Sequence, residues 1–194
     1  MLKKYGNQLP TQNRNEAGIG ITSLIPNNSS QISTTPSKND LFLPLIVYWR
    51  HDYRKICLLN NDIALANFSN AVNALTPGPL VEKLNGGKLE LVVEQAPSTF
   101  ELVTNEHTVR ILFGTIGRVK NYIEPDTKDL VVSYKLTSGA DAKTGRIVVK
   151  NPDTDRSQRH YAAWKVAASE YLTDYNASFA TMTKTFVNQL TSEL

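Results

Sequence analysis

The residues of this chain with chemistry to offer are three histidines, one cysteine and a few acid and base clusters. His51 stands between Arg50 and Asp52, with Arg54 close behind. An imidazole beside a carboxylate and guanidinium groups at a strand end can make a small polar site for an anion or an acidic partner. His107 and His160 are isolated, and no pair has the His-x-x-x-His spacing that puts two metal ligands on one helix face. Cys57 lies in the apolar run Ile56-Cys57-Leu58-Leu59, with no histidine at an informative spacing. It reads as a buried structural thiol and has no second cysteine for a disulfide.

Other motifs fail on spacing. No Gly-x-Ser-x-Gly elbow occurs. Gly114-Thr115-Ile116-Gly117 sits in a strand pattern with no helix after it, so it predicts a bulge or a close backbone approach. Lys143-Thr144 lies between Gly139 and Gly145 without the glycine spacing of a phosphate loop. Glu90 and Glu94 share one face of a strand, and Asp153 and Asp155 share a loop lacking the Gly and distal Glu of a calcium loop. Asn27, Asn28, Asn67 and Asn176 begin Asn-x-Ser sequons, a number expected in an Asn- and Ser-rich chain. No catalytic, cofactor-binding or metal-binding residue follows from these patterns. An enzyme reading is left with scattered polar residues near Arg50, His51 and Asp52.

The elements that would carry these residues follow from periodicity. Residues 1–39 are rich in Asn, Gln, Ser, Thr, Pro and Gly, a composition that predicts a flexible polar arm. The apolar islands Ile19 with Ile21 and Leu24 with Ile25 are its candidates for docking. Residues 40–194 predict a single domain. Leu41 to Trp49 reads as a buried strand and Tyr53 to Leu59 as a second. Asn60-Asn61-Asp62 supplies capping residues for a helix that stops at Thr76-Pro77-Gly78-Pro79, with a further turn at Leu80 to Leu84. After the Asn85-Gly86-Gly87 turn, period-two runs predict an antiparallel meander from 88 to 150. Trp164, Ala168, Tyr171, Tyr175, Phe179, Met182, Phe186 and Leu190 form one apolar stripe. That stripe predicts a long C-terminal amphipathic helix, with a kink expected near 173–177. The fold class is α+β.

With 41% hydrophobic and 20% charged residues, the chain can build a packed core. A net charge of +3, without clustered cations, argues against nucleic acid as a partner. No stretch reaches the length of a membrane-spanning helix. The start Met1-Leu2-Lys3-Lys4-Tyr5 has no apolar run behind it. It therefore predicts either a cytoplasmic protein or a targeting segment outside this sequence.

The element order resembles that of small accessory proteins of the bacterial cell envelope, the auxiliary lipoproteins of ABC-type transporters and the lipopolysaccharide-assembly lipoprotein among them. The matching parts are Leu41 to Leu59, Ile63 to Leu84, Lys88 to Lys150 and Ser157 to Leu194. The resemblance rests on pattern, and the lipobox cysteine of such lipoproteins is missing. It implies a non-enzymatic binding or assembly role through protein contacts, in the periplasm or envelope. The aromatic stripe of the last helix is the candidate interface for a protein partner or a second copy.

Overall fold

The computed structural model describes residues 18–25, 32–43, 46–59, 61–75, 79–152 and 164–194. Among the described residues, eight strands fall into two four-stranded sheets. The first sheet has the order β1-β4-β7-β8, from β1 (Ile19–Ser23), β4 (Lys88–Gln95), β7 (Leu130–Ser138) and β8 (Asp141–Val149). The second has the order β2-β3-β5-β6, from β2 (Ile32–Leu43), β3 (Ile46–Leu58), β5 (Thr99–Ile111) and β6 (Gly114–Pro125). The helices are α1 (Asn61–Leu75), α2 (Pro79–Leu84) and α3 (Trp164–Glu193). The class is α+β, and the antiparallel strands of 88–150 are shared between the two sheets.

The first sheet buries one face by simple alternation. Leu89, Leu91 and Val93 of β4, Leu130, Val132 and Tyr134 of β7, and Ile147 and Val149 of β8 all join the core. Residues 19–23, placed by composition in the polar arm, form a strand parallel to β4. Its alternation decides this: Ile19 is buried, Ile21 and Ile25 pack on the core, and Leu24 stays exposed. Residues 32–39, also assigned to the arm, lie in β2. Residues 1–17 lie outside the described residues.

Helix α3 covers this sheet together with α1. Tyr171, Tyr175, Phe179, Met182, Phe186 and Leu190 are all buried, so this part of the aromatic stripe is an internal surface, while Trp164 and Ala168 at its start stay partly exposed. Phe186 meets Phe68 of α1 at 5.5 Å between ring centroids. The helix runs unbroken through 173–177. Its length, roughly 45 Å at the usual rise, is used because its N-terminal half covers the base of the second sheet. There Tyr171 lies 4.7 Å from Phe100 between ring centroids, and the Tyr175 hydroxyl donates to the Pro97 carbonyl at 2.8 Å. The segment 153–163, with Asp153, Asp155 and His160, lies outside the described residues.

Short crossings at 96–98 and 126–129 are among the connections between the sheets, and Asp126 pins these two together. Its Oδ2 accepts from the Ser98 and Thr99 amides at 2.9 and 3.1 Å and from the Thr99 hydroxyl at 3.0 Å. Its Oδ1 accepts from the Lys128 amide at 3.0 Å. The Asp126 carbonyl takes a bond of 2.7 Å from the buried Asn151 amide side chain. Glycine is required at 145 and 87. A Cβ on Gly145 would meet the ring of its cross-strand partner Tyr134 at 2.5 Å. One on Gly87 would meet the Leu84 and Thr137 carbonyls at 2.8 and 2.9 Å.

Candidate functional site

The second sheet is the unusual part. Its strands run 12 or 13 residues each, and only one end touches the core. Phe100, Leu102, Ile123 and Cys57 pack at that base. No described residue of 41–55 or 104–121 joins the core cluster. The strands therefore project as an arm, with Ile111 roughly 36 Å along the strand from Phe100.

Cross-strand side chains hold the arm instead of a core. The Arg54 guanidinium bridges Glu101 at 3.0 Å and Glu124 at 2.8 Å, and these carboxylates hold its pKa above the ordinary value. Thr104 donates to Asn121 at 3.0 Å and Asn105 to the Tyr122 hydroxyl at 3.2 Å. The Tyr48 hydroxyl and His107 Nδ1 lie 3.5 Å apart. Polar pairs thus alternate along the shaft of the arm.

The free end is different. The hairpin between β5 and β6 turns on Leu112 and Phe113, since Ile111 pairs with Gly114. Phe113 is 97% exposed and Leu112 61%. Ile111, Ile116, Leu41 and Ile46 are exposed on one face of the sheet, and Phe42 on the other. Single exposed apolar residues are ordinary, but a contiguous group at one extremity marks a contact surface. Behind this end come Tyr48 and Trp49, paired in register with Val109 and Thr108. Next come Arg50 and Arg118, both in register with His107.

The run Leu41 to Trp49 is therefore not one buried strand. It splits between β2 and β3, where Leu43 pairs with Ile46, and its Leu41, Phe42 and Ile46 are exposed near the end of the arm. Similarly, Gly114 opens β6 after a turn instead of forming a bulge within one strand.

The cluster Arg50, His51 and Asp52 does not assemble into one site. Neighbours in a strand point to opposite faces. Arg50 and Asp52 share a face and pair with each other at 2.9 Å, leaving Asp52 Oδ1 without a hydrogen-bond partner among the described residues. His51 lies on the other face, edge-on to Tyr53 at 6.2 Å. Cys57 is only partly buried, and that burial pushes its thiol pKa up, away from nucleophilic use. Glu94 is engaged by Ser133 and by Arg146 at 2.7 Å, and Glu90 by Lys88 at 3.0 Å. Asn67 donates to Asn176 at 2.9 Å, so these two sequon residues tie α1 to α3. No group of three His, Cys, Asp or Glu side chains suited to a metal occurs among the described residues. No described helix is long and apolar enough to cross a membrane.

No family model, curated protein or solved structure matches this chain.

The residues that sequence reasoning missed are Leu112, Phe113 and Ile116. Their signal was an apolar pair at a turn, where Asn-Gly or Asp-Gly chemistry is the usual marker of a hairpin.

Proposed function

We propose that this protein is a non-enzymatic binding or assembly component whose contact surface is the free end of the arm. A setting in the cell envelope accords with the element order described above. The observation that carries the reading is the exposure of Phe113, Leu112, Ile116 and Phe42 together at one extremity of a sheet anchored at the other. The body supplies the anchor: α3 and the Asp126 hydrogen bonds fix the base, and the shaft sets the end at a distance. Covering this end with any apolar surface removes from water side chains worth about 1.5–3 kcal/mol each when fully buried.

The experiment is photo-crosslinking in the source cell. A photoreactive side chain is placed at Phe113 or Ile116, and for comparison at Ala142 or Thr181, which are exposed on the body. Adducts of any chemical class concentrated at the end of the arm support the reading. Adducts spread equally, or found only on the body, overturn it.

A further inference from the structure

We infer that the occupant of the arm's free end is the surface of a lipid bilayer with anionic headgroups, which Leu112 and Phe113 enter first. The inference rests on the binding role proposed above and names its partner.

The distribution of apolar groups is the first observation. A protein partner laid on a sheet covers one face. Here Leu41, Ile46, Ile111 and Ile116 occupy one face, Phe42 the other, and Leu112 and Phe113 project from the turn. Apolar exposure all round an extremity suits a medium that surrounds it, as acyl chains do.

The order of chemistry along the arm is the second observation. The turn, Ile46 and Ile111 come first and Phe42 next; the following row holds Tyr48 beside Leu41 and Ile116, then comes Trp49, then Arg50 and Arg118 in one register level, with Lys120 further back. This is the sequence of a bilayer boundary: hydrocarbon, then the headgroup level where Tyr and Trp settle, then the anionic surface that attracts cations. Arg110, Arg118 and Lys120 form no ion pair among the described residues, so their charge is available to phosphate. Arg110 lies beside Val47, close to the end, and its long stem can carry the guanidinium back to the headgroups.

The backbone limits the depth. β2 and β6 are the edges of the sheet, and unpaired edge amides are costly in hydrocarbon. Entry therefore stops after the turn and the first paired residues, within roughly 5–10 Å of the boundary.

The test is flotation of the full chain with vesicles of phosphatidylcholine alone and of phosphatidylcholine mixed with phosphatidylglycerol. A Trp164→Phe background leaves Trp49 as the sole fluorescence reporter. The expected result is binding to mixed vesicles with a blue shift of Trp49, weaker binding to neutral vesicles, and loss of the difference at high salt. Phe113→Asp should weaken partitioning roughly thirtyfold. Arg118→Gln with Lys120→Gln should remove the preference for anionic vesicles while leaving residual neutral binding. Circular dichroism confirms that these exposed substitutions leave the fold intact. No flotation, or flotation unchanged by Phe113→Asp, overturns the inference. Protein adducts at 113 together with no vesicle binding overturn it while leaving the binding role standing; no adducts there removes both. A dimer in light scattering that Phe113→Asp dissociates assigns the end to a second copy and overturns the lipid assignment.

Discussion

Asp126→Ala tests whether the joint between the two sheets is held by one carboxylate. Asp126 is 8% exposed, and its oxygens accept four hydrogen bonds, from the Ser98, Thr99 and Lys128 amides and the Thr99 hydroxyl. Removing a charged acceptor leaves each buried donor short by about 1–3 kcal/mol. Ser98 and Thr99 are half-buried, so water replaces part of the loss. A net cost of about 3 kcal/mol follows, or a fall in Tm of roughly 6–12 °C for a chain of this size. Asp126→Asn keeps one acceptor oxygen and should lose less. Asp129→Ala is the comparison. Asp129 accepts from Lys150 at 2.7 Å and from the Asn151 amide at 3.0 Å, and its Lys150 partner is largely exposed. Removing it should cost only about 1 kcal/mol. Urea and thermal unfolding measure all three. If Asp126→Ala melts within about 2 °C of the wild type, or no lower than Asp129→Ala, the joint is not held in this way.

Gly145→Ala drives a methyl group into the Tyr134 ring and should cost about 1–3 kcal/mol by overpacking, read as a lowered urea midpoint; an unchanged midpoint would mean that the ring moves aside freely. Tyr134 bears on alkaline stability as well. Burial and then its hydrogen bond to Glu193 at 2.7 Å push its pKa from 10.0 up to about 12. A raised phenol pKa contributes stability that is complete below pH 10 and is lost as pH climbs toward 12. Burial shifts Tyr175 in the same direction. Tyr134→Phe should therefore flatten the alkaline limb of a Tm-against-pH curve, and a limb of unchanged slope would exclude Tyr134 as its source. Amide hydrogen exchange should be fastest at 111–117 within the second sheet and slowest in β4 and β7, because the free end has no core behind it; equal protection along β5 would show that the arm opens only with the whole fold.

Much of the first sheet and its cover could be read from residue order. Helix α3 was legible because a stripe at 3.6-residue spacing has one face to bury, and β4 and β7 because alternate residues share a face. The capping residues before α1 and the glycines after α2 also act locally. The apolar islands at Ile19 and Ile21 were visible as docking candidates. Their pairing with β4 was not, because parallel register is set between residues some 70 positions apart.

What only the tertiary structure decided is which apolar residues remain in water. Leu41 to Trp49 and Leu89 to Val93 are both apolar runs, yet Leu89, Leu91 and Val93 join the core under the helices while no described residue of the first run does. Burial depends on what stands opposite a strand, and that is a property of the packed chain. The same reasoning separated His51 from Asp52: adjacency in sequence places strand residues on opposite faces, so a cluster legible as a site became an ion pair and an aromatic contact. The sequence by itself determined the helices and the strands of the first sheet from residue 88 on, through periods of 3.6 and 2. The fold determined that α3 buries Tyr171, Tyr175, Phe179, Met182, Phe186 and Leu190, and that Leu112, Phe113 and Ile116 stay exposed at the end of the arm.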